Sequence, residues 1–120
     1  MFSATLLAHF KNPQNAGELD APSASAEASN PVCGDVLRLS ARIENGHFVA
    51  VRFQAQGCVA AIAASSLLTD LLLQKSLAQT AAITPEQISA SLDGLPPASF
   101  HAAQLCCDAL RALLKKISEL

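Results

Sequence analysis

The stretch Asn30-Pro31-Val32-Cys33-Gly34-Asp35 sets a thiol, a glycine and a carboxylate side by side. Downstream, Gly57-Cys58 supplies a second thiol beside a glycine, at the head of an apolar run. Thiolates are soft ligands and a carboxylate oxygen is a hard one; with the imidazole of His101 they make a donor set for a thiophilic metal. The mixture favours exchangeable binding over the closed four-thiolate cage of a structural zinc site. Gly34 permits backbone conformations, and a close ligand approach, that a β-carbon would block. A cysteine opening a helix meets unpaired N–H groups and the helix dipole, which lower its pKa and favour the thiolate that binds metal or accepts sulfur. These residue types imply a protein that handles a metal or an iron–sulfur centre. The bland alternatives are a half-buried Cys33 beside a turn-capping Asp35, and Cys58 as a small apolar side chain at a strand–helix junction.

Elements must bring these residues together, and the clearest of them is a hairpin. Leu37, Leu39, Ala41 and Ile43 alternate with Arg38, Ser40 and Arg42, the period of a half-buried strand. Val49, Val51, Phe53 and Ala55 repeat the pattern after Asn45-Gly46, a turn pair that tolerates positive φ. Such a hairpin returns the chain to Cys58 close to where it left Cys33. From Cys58 the period becomes helical and runs to about Leu73. A short helix is expected over Leu77–Ala82 with Ser76 as its cap, and Thr84-Pro85-Glu86-Gln87 opens another that stops near Gly94. Leu95-Pro96-Pro97 reads as a rigid connection, after which Ser99 is expected to cap a last helix to about Ile117. That helix carries Leu105, Ala109, Ala112 and Lys116 along one stripe, with Cys106, Leu110 and Leu113 beside it.

At the other end, Thr5–Phe10 is a short helical start stopped by Asn12-Pro13. From Asn15 to Asn30 the Ala, Ser, Gly, Asp and Pro composition shows little periodicity and reads as a loop, either a plain surface connection or a flap over a site. The coarse result is an α+β domain, a small antiparallel sheet covered by several helices. His101 opens the last helix, where a neutral imidazole can face a shared pocket, whereas His9 and His47 are expected in solvent. Cys106 and Cys107 are neighbours in mid-helix and point about 100° apart, so they do not readily share one metal, and a disulfide between them would be strained. They read as core thiols; an oxidoreductase built on this pair is the least favoured class.

At 120 residues the chain is bounded to a single domain, 1–120. Apolar residues make up 51% and charged ones 15%, so the chain folds and leaves apolar surface for a partner. A net charge of −2 with no basic cluster argues against nucleic-acid binding. With no Trp or Tyr there is no aromatic platform for bases or sugars. The longest apolar run, Cys58 to Leu73, is interrupted by Ser65, Ser66, Thr69 and Asp70 and is too short to cross a membrane. No basic region followed by an apolar core opens the chain, so a cytoplasmic location is expected. There, four cysteines are ligands, reactive thiols or core residues rather than disulfides.

Taken in order, these motifs resemble the U-type iron–sulfur cluster assembly scaffold family, the IscU proteins and the N-terminal domain of NifU, over nearly the whole chain. His9-Phe10-Lys11-Asn12-Pro13-Gln14-Asn15-Ala16-Gly17 is similar to the family's opening His-aromatic-x-x-Pro-Arg-Asn-x-Gly. Asn30 to Asp35 reproduces its first ligand loop, and Gly57-Cys58 with Ala63-Ala64-Ser65-Ser66 its second cysteine and helix. The resemblance implies a small sheet of about three strands, a labile [2Fe–2S] cluster or a zinc ion, and no enzymatic turnover. It also implies a cysteine desulfurase and apo iron–sulfur proteins as partners. Carried over residue by residue, the ligand set is Cys33, Asp35, Cys58 and His101. The family's third cysteine follows its histidine directly, and here that position is Ala102. Cys106, one turn and about 6 Å further on, substitutes only if the pocket is displaced by a turn. The family's chaperone-recognition element, Leu-Pro-Pro-Val-Lys, appears as Leu95-Pro96-Pro97-Ala98-Ser99; the missing lysine weakens the case for an Hsp70-type chaperone. Three functions are implied: a cluster scaffold or carrier, a zinc-bound sulfur-transfer partner of a desulfurase, or a degenerate interaction module.

Overall fold

The two alternating segments form adjacent antiparallel strands in the computed structural model, which describes residues 1–31 and 33–120. They are β2 (Val36–Glu44) and β3 (His47–Gln56), joined by Asn45-Gly46. Both turn residues have positive φ, 52° and 73°, so the twist of the turn matches that of the strands. Pairing runs from Glu44↔His47 to Val36↔Gln56, with one register shift between Arg42 and Ile43.

A third strand, β1 (Ala24–Ser29), pairs antiparallel with the other side of β2, giving the order β1-β2-β3. It lies inside the segment expected to be a loop. Ala24, Ala26 and Ala28 alternate with Ser25, Glu27 and Ser29, but side chains this small give the alternation little amplitude. Backbone pairing to β2 defines the strand instead.

One face of the sheet is apolar and covered. Leu37, Leu39, Phe48, Val51 and Phe53 are buried there, while Arg38, Arg52 and Gln54 point to solvent. The helix α5 (His101–Ser118) lies against β1 and β2; α2 (Val59–Leu72) lies against β3. α1 (Ala4–Lys11), α4 (Pro85–Ser91) and α5 also pack on α2. Enclosure on so many sides explains why α2 is built from alanine, serine and leucine nearly all round. Ser76 and Thr84 cap α3 (Leu77–Ala81) and α4 as their sequences imply, Ser76 through a reciprocal bond with Gln79.

Ser99 does not cap α5. Pro97–Ser99 form a 3₁₀ turn that winds straight into the helix, and Phe100 ahead of His101 is already helical at φ −62°, ψ −25°. No extended residue remains from which a side chain could reach back to the first amides. Of the stripe Leu105, Ala109, Ala112 and Lys116, the first two are buried and Lys116 is exposed; the buried face also runs through Ala102, Cys106, Leu110, Leu113 and Ile117.

The opening motif is a strap. Ser66 Oγ, wholly buried on α2, accepts the Gln14 N–H at 2.7 Å, and Asn15 Nδ2 donates to Thr69 Oγ1 at 3.0 Å. The backbone of Asn15 and Gly17 bonds to Phe53 at the edge of β3. His9, expected in solvent, is half-buried with Nδ1 2.7 Å from the same Ser66 hydroxyl.

Candidate metal centre

β2 begins and β3 ends at the same end of the sheet, and the chemistry-bearing loops meet there. Cys33 lies in the connection between β1 and β2. Two backbone bonds close that loop, Asn30 N–H to Asp35 O at 2.8 Å and Gly34 N–H to Asn30 O at 2.7 Å. Gly34 takes φ 76°, which a larger residue resists, and Cys33 is left exposed at a hairpin tip. Asp35, two positions inward, is 5% exposed. Past the end of β3, Cys58 caps α2, its sulfur accepting the Ala61 N–H at 3.4 Å. His101 is the first residue of α5.

These elements bring the four expected ligands to one place. Cys58 Sγ is 3.5 Å from Asp35 Oδ2 and 3.8 Å from His101 Nε2, and His101 Nε2 is 3.7 Å from Asp35 Oδ2. The donor atoms of Cys33, Asp35 and His101 all lie within 4.8 Å of one another. A tetrahedral ion with bonds of about 2.0–2.3 Å holds nitrogen, oxygen and sulfur donors about 3.3–3.6 Å apart. The three edges among Asp35, Cys58 and His101 match a single-ion shell to within a few tenths of an ångström, whereas Cys33 joins Asp35 and His101 only within the wider 4.8 Å.

The His101 ring is oriented by its other nitrogen. Nδ1 lies 3.1 Å from the Ala98 carbonyl, which can only accept, so Nδ1–H donates there and Nε2 is the nitrogen that faces Asp35 and Cys58. The 3₁₀ turn after the paired prolines thus holds the His101 ring in place. Sequence reasoning missed this contact because a backbone carbonyl has no signature in residue type.

The electrostatics correct one expectation. The Cys58 thiol is raised above the ordinary value, not lowered. Partial burial is the largest cause; the Ala61 N–H pulls the other way, and the Asp35 carboxylate pushes it up again. In the metal-free protein this thiol therefore keeps its proton and donates it to Asp35. A cation between the two groups would reverse the balance by replacing that proton. Both α2 and α5 begin at the site, so two positive helix ends face any anionic metal–thiolate complex formed there.

Cys106 and Cys107 are both buried in the core. The Cys106 sulfur sits 4.0 Å from Ser65 Oγ on α2, and burial pushes its pKa up to about 12. The Cys107 thiol points to the Ile83 carbonyl at 3.9 Å. Cys106 thus faces the core rather than the ligand shell, and Ala102 beside His101 is itself wholly buried. Among the described residues, no helix is long and apolar enough to cross a membrane.

The family model described as NifU-like N terminal domain matches residues 1–119. The chain belongs to that family. This NifU-like domain is 36% identical over 117 residues to the iron-sulfur cluster assembly scaffold protein IscU of Haemophilus influenzae, covering 94% of the domain and 92% of that protein. It is 35% identical over 118 residues to the protein of the same name from Azotobacter vinelandii, covering 95% and 91%. Among solved structures, the N-terminal NifU-like protein from Brucella abortus superposes with a TM-score of 0.79 over 98% of the domain and 94% of that chain. At 17% identity that likeness shows the shared α+β fold.

Proposed function

We infer that this NifU-like domain is an iron–sulfur cluster assembly scaffold, which holds its cargo only until an apo-protein takes it. One observation carries the reading: a mixed sulfur, oxygen and nitrogen donor set converges at one end of the sheet, in a chain that matches named scaffold proteins over nearly all its length. Cys33, Asp35, Cys58 and His101 are the proposed ligands. Two thiolates, one carboxylate and a neutral imidazole bring three negative charges to a doubly charged [2Fe–2S] centre or zinc ion. The complex then carries one net negative charge, which the two helix N-termini favour. The exposed position of both thiols suits a cargo that must leave and a cysteine desulfurase that must reach in.

The tight donor spacing favours a second reading, a single zinc ion held in a sulfur-transfer partner of a desulfurase. A two-iron centre needs its donors spread over two metals, whereas the edges among Asp35, Cys58 and His101 fit one. With Ala102 in place of a third thiol, this shell offers two sulfurs.

Iron, zinc and acid-labile sulfide per chain, measured on anaerobically purified protein reconstituted with iron and sulfide, decide between these. Sulfide equal to iron, lost in Cys33→Ala, supports the scaffold. One zinc without sulfide supports the second reading, and neither metal leaves an interaction module.

A further inference from the structure

Asp35 is the one buried member of the ligand set, and its neighbour across the strand–helix junction is Gly57. A β-carbon built on Gly57 would lie 2.6 Å from Asp35 Cγ, 2.7 Å from Oδ1 and 3.0 Å from Cβ. The first two are shorter than real Cβ contacts, so something would have to shift; the third is tight. Gly57 therefore presents bare backbone to one side of the Asp35 carboxyl group, while Oδ2 on the other side faces Cys58 and His101. The two contacts under 3.0 Å are with the carboxyl group, so it is the carboxyl group that would have to turn away.

We propose that Gly57 is a positioning residue for the metal centre: its Cα is the wall that fixes the Asp35 carboxylate with Oδ2 toward the ion, and any side chain there expels the oxygen ligand. The inference rests on the ligand assignment made above and deepens it. Cys58 follows Gly57 directly, so the wall for one ligand and the sulfur of another move as one unit. A shift of the junction that displaced Cys58 would also free Asp35, and the shell loses or keeps both together.

Cobalt(II) alone, titrated anaerobically into the purified domain, is the probe, because its visible bands report tetrahedral geometry and sulfur ligation. Wild type, Gly57→Ala, Asp35→Ala and the double variant are compared. Gly57→Ala is expected to weaken cobalt binding at least about tenfold and reshape the bands as Asp35→Ala does. In the Asp35→Ala background the same substitution is expected to cost less than about threefold, since the group it displaces is gone. Wild-type affinity in Gly57→Ala, or an undiminished effect in the double variant, overturns the proposal.

Thermal melts of the metal-free proteins give a second readout. Gly57 has φ 159°, so an added β-carbon bears on its own backbone as well, and the Asp35→Ala background isolates the carboxyl contact. Relief of the clash predicts that the double variant melts above Gly57→Ala; equal or lower melting overturns the wall. Failure of wild type to bind cobalt would overturn the ligand assignment instead, and the melts would still decide whether Gly57 holds Asp35.

Discussion

Cys106 lies wholly inside the core with its thiol pushed up to about 12, so a folded chain keeps this proton where an unfolded chain has lost it. Below the ordinary thiol value of 9.0 both states are protonated and the stabilisation is complete. Above it, stability is expected to fall by about 1.4 kcal/mol per pH unit until the folded thiol also titrates. Urea melts of the metal-free protein at pH about 8 and about 10 should show this loss, and Cys106→Ala should shrink it. Cys58 offers a reactivity test at the same scale. Its thiol is raised, in part by Asp35, so Asp35→Asn should move the pH profile of Cys58 alkylation in chelator-treated protein downward. An unchanged profile would mean that burial alone sets it. The core placement of Cys106 was legible in the sequence. Cys33 and Cys58 could be singled out as neighbours at one end of a hairpin because a glycine, a carboxylate and the alternating strands place them. The direction of the Cys58 shift could not, because it depends on a carboxylate 23 positions away that burial holds 3.5 Å from the sulfur.

At the scale of elements, the 3₁₀ turn and the strap are the testable parts. The turn's Ala98 carbonyl fixes the His101 ring, so loosening it with Pro97→Gly should weaken metal binding about tenfold while the metal-free protein melts almost as before. Zinc titration against a coloured chelator measures this; equal affinity would show that the helix alone orients the ring. The strap depends on Ser66. Ser66→Ala leaves the Gln14 N–H and His9 without their buried partner and should cost about 1–3 kcal/mol, with amide exchange at Gln14 rising first. Strong local chemistry made β2, β3, α3 and α4 readable: alternation, a positive-φ turn pair, and Ser and Thr caps. β1 was not readable, since its period-two pattern is carried by alanine against serine and glutamate, too weak to stand out, and pairing with β2 is what makes it a strand. The start of α5 misled for a related reason: Ser99 is a good cap by type, but two prolines had already set the chain winding.

For the whole molecule, the proposed ligands come from three separated places in the chain, 33–35, 58 and 101, so only the folded state can assemble them. Metal binding through them is expected to stabilise the fold. At a free metal concentration about 100 times the dissociation constant, the gain is about 2.7 kcal/mol, seen as a rise in melting temperature that a chelator reverses. Because burial and Asp35 raise the Cys58 thiol above its ordinary value, binding through the proposed Cys58 ligand is expected to release its proton, and affinity should fall as pH drops.

The hairpin turn at Asn45-Gly46 stands at the opposite pole from these ligands, with the full length of β2 between them. Nine residues of extended strand span about 30 Å. A fluorophore placed on that turn would touch neither the ligand shell nor the covered face of the sheet. It would still sit within energy-transfer range of a coloured iron–sulfur centre. Loading and hand-over would then be visible as dimming and recovery of light from the far end of the molecule, in real time and with every ligand intact.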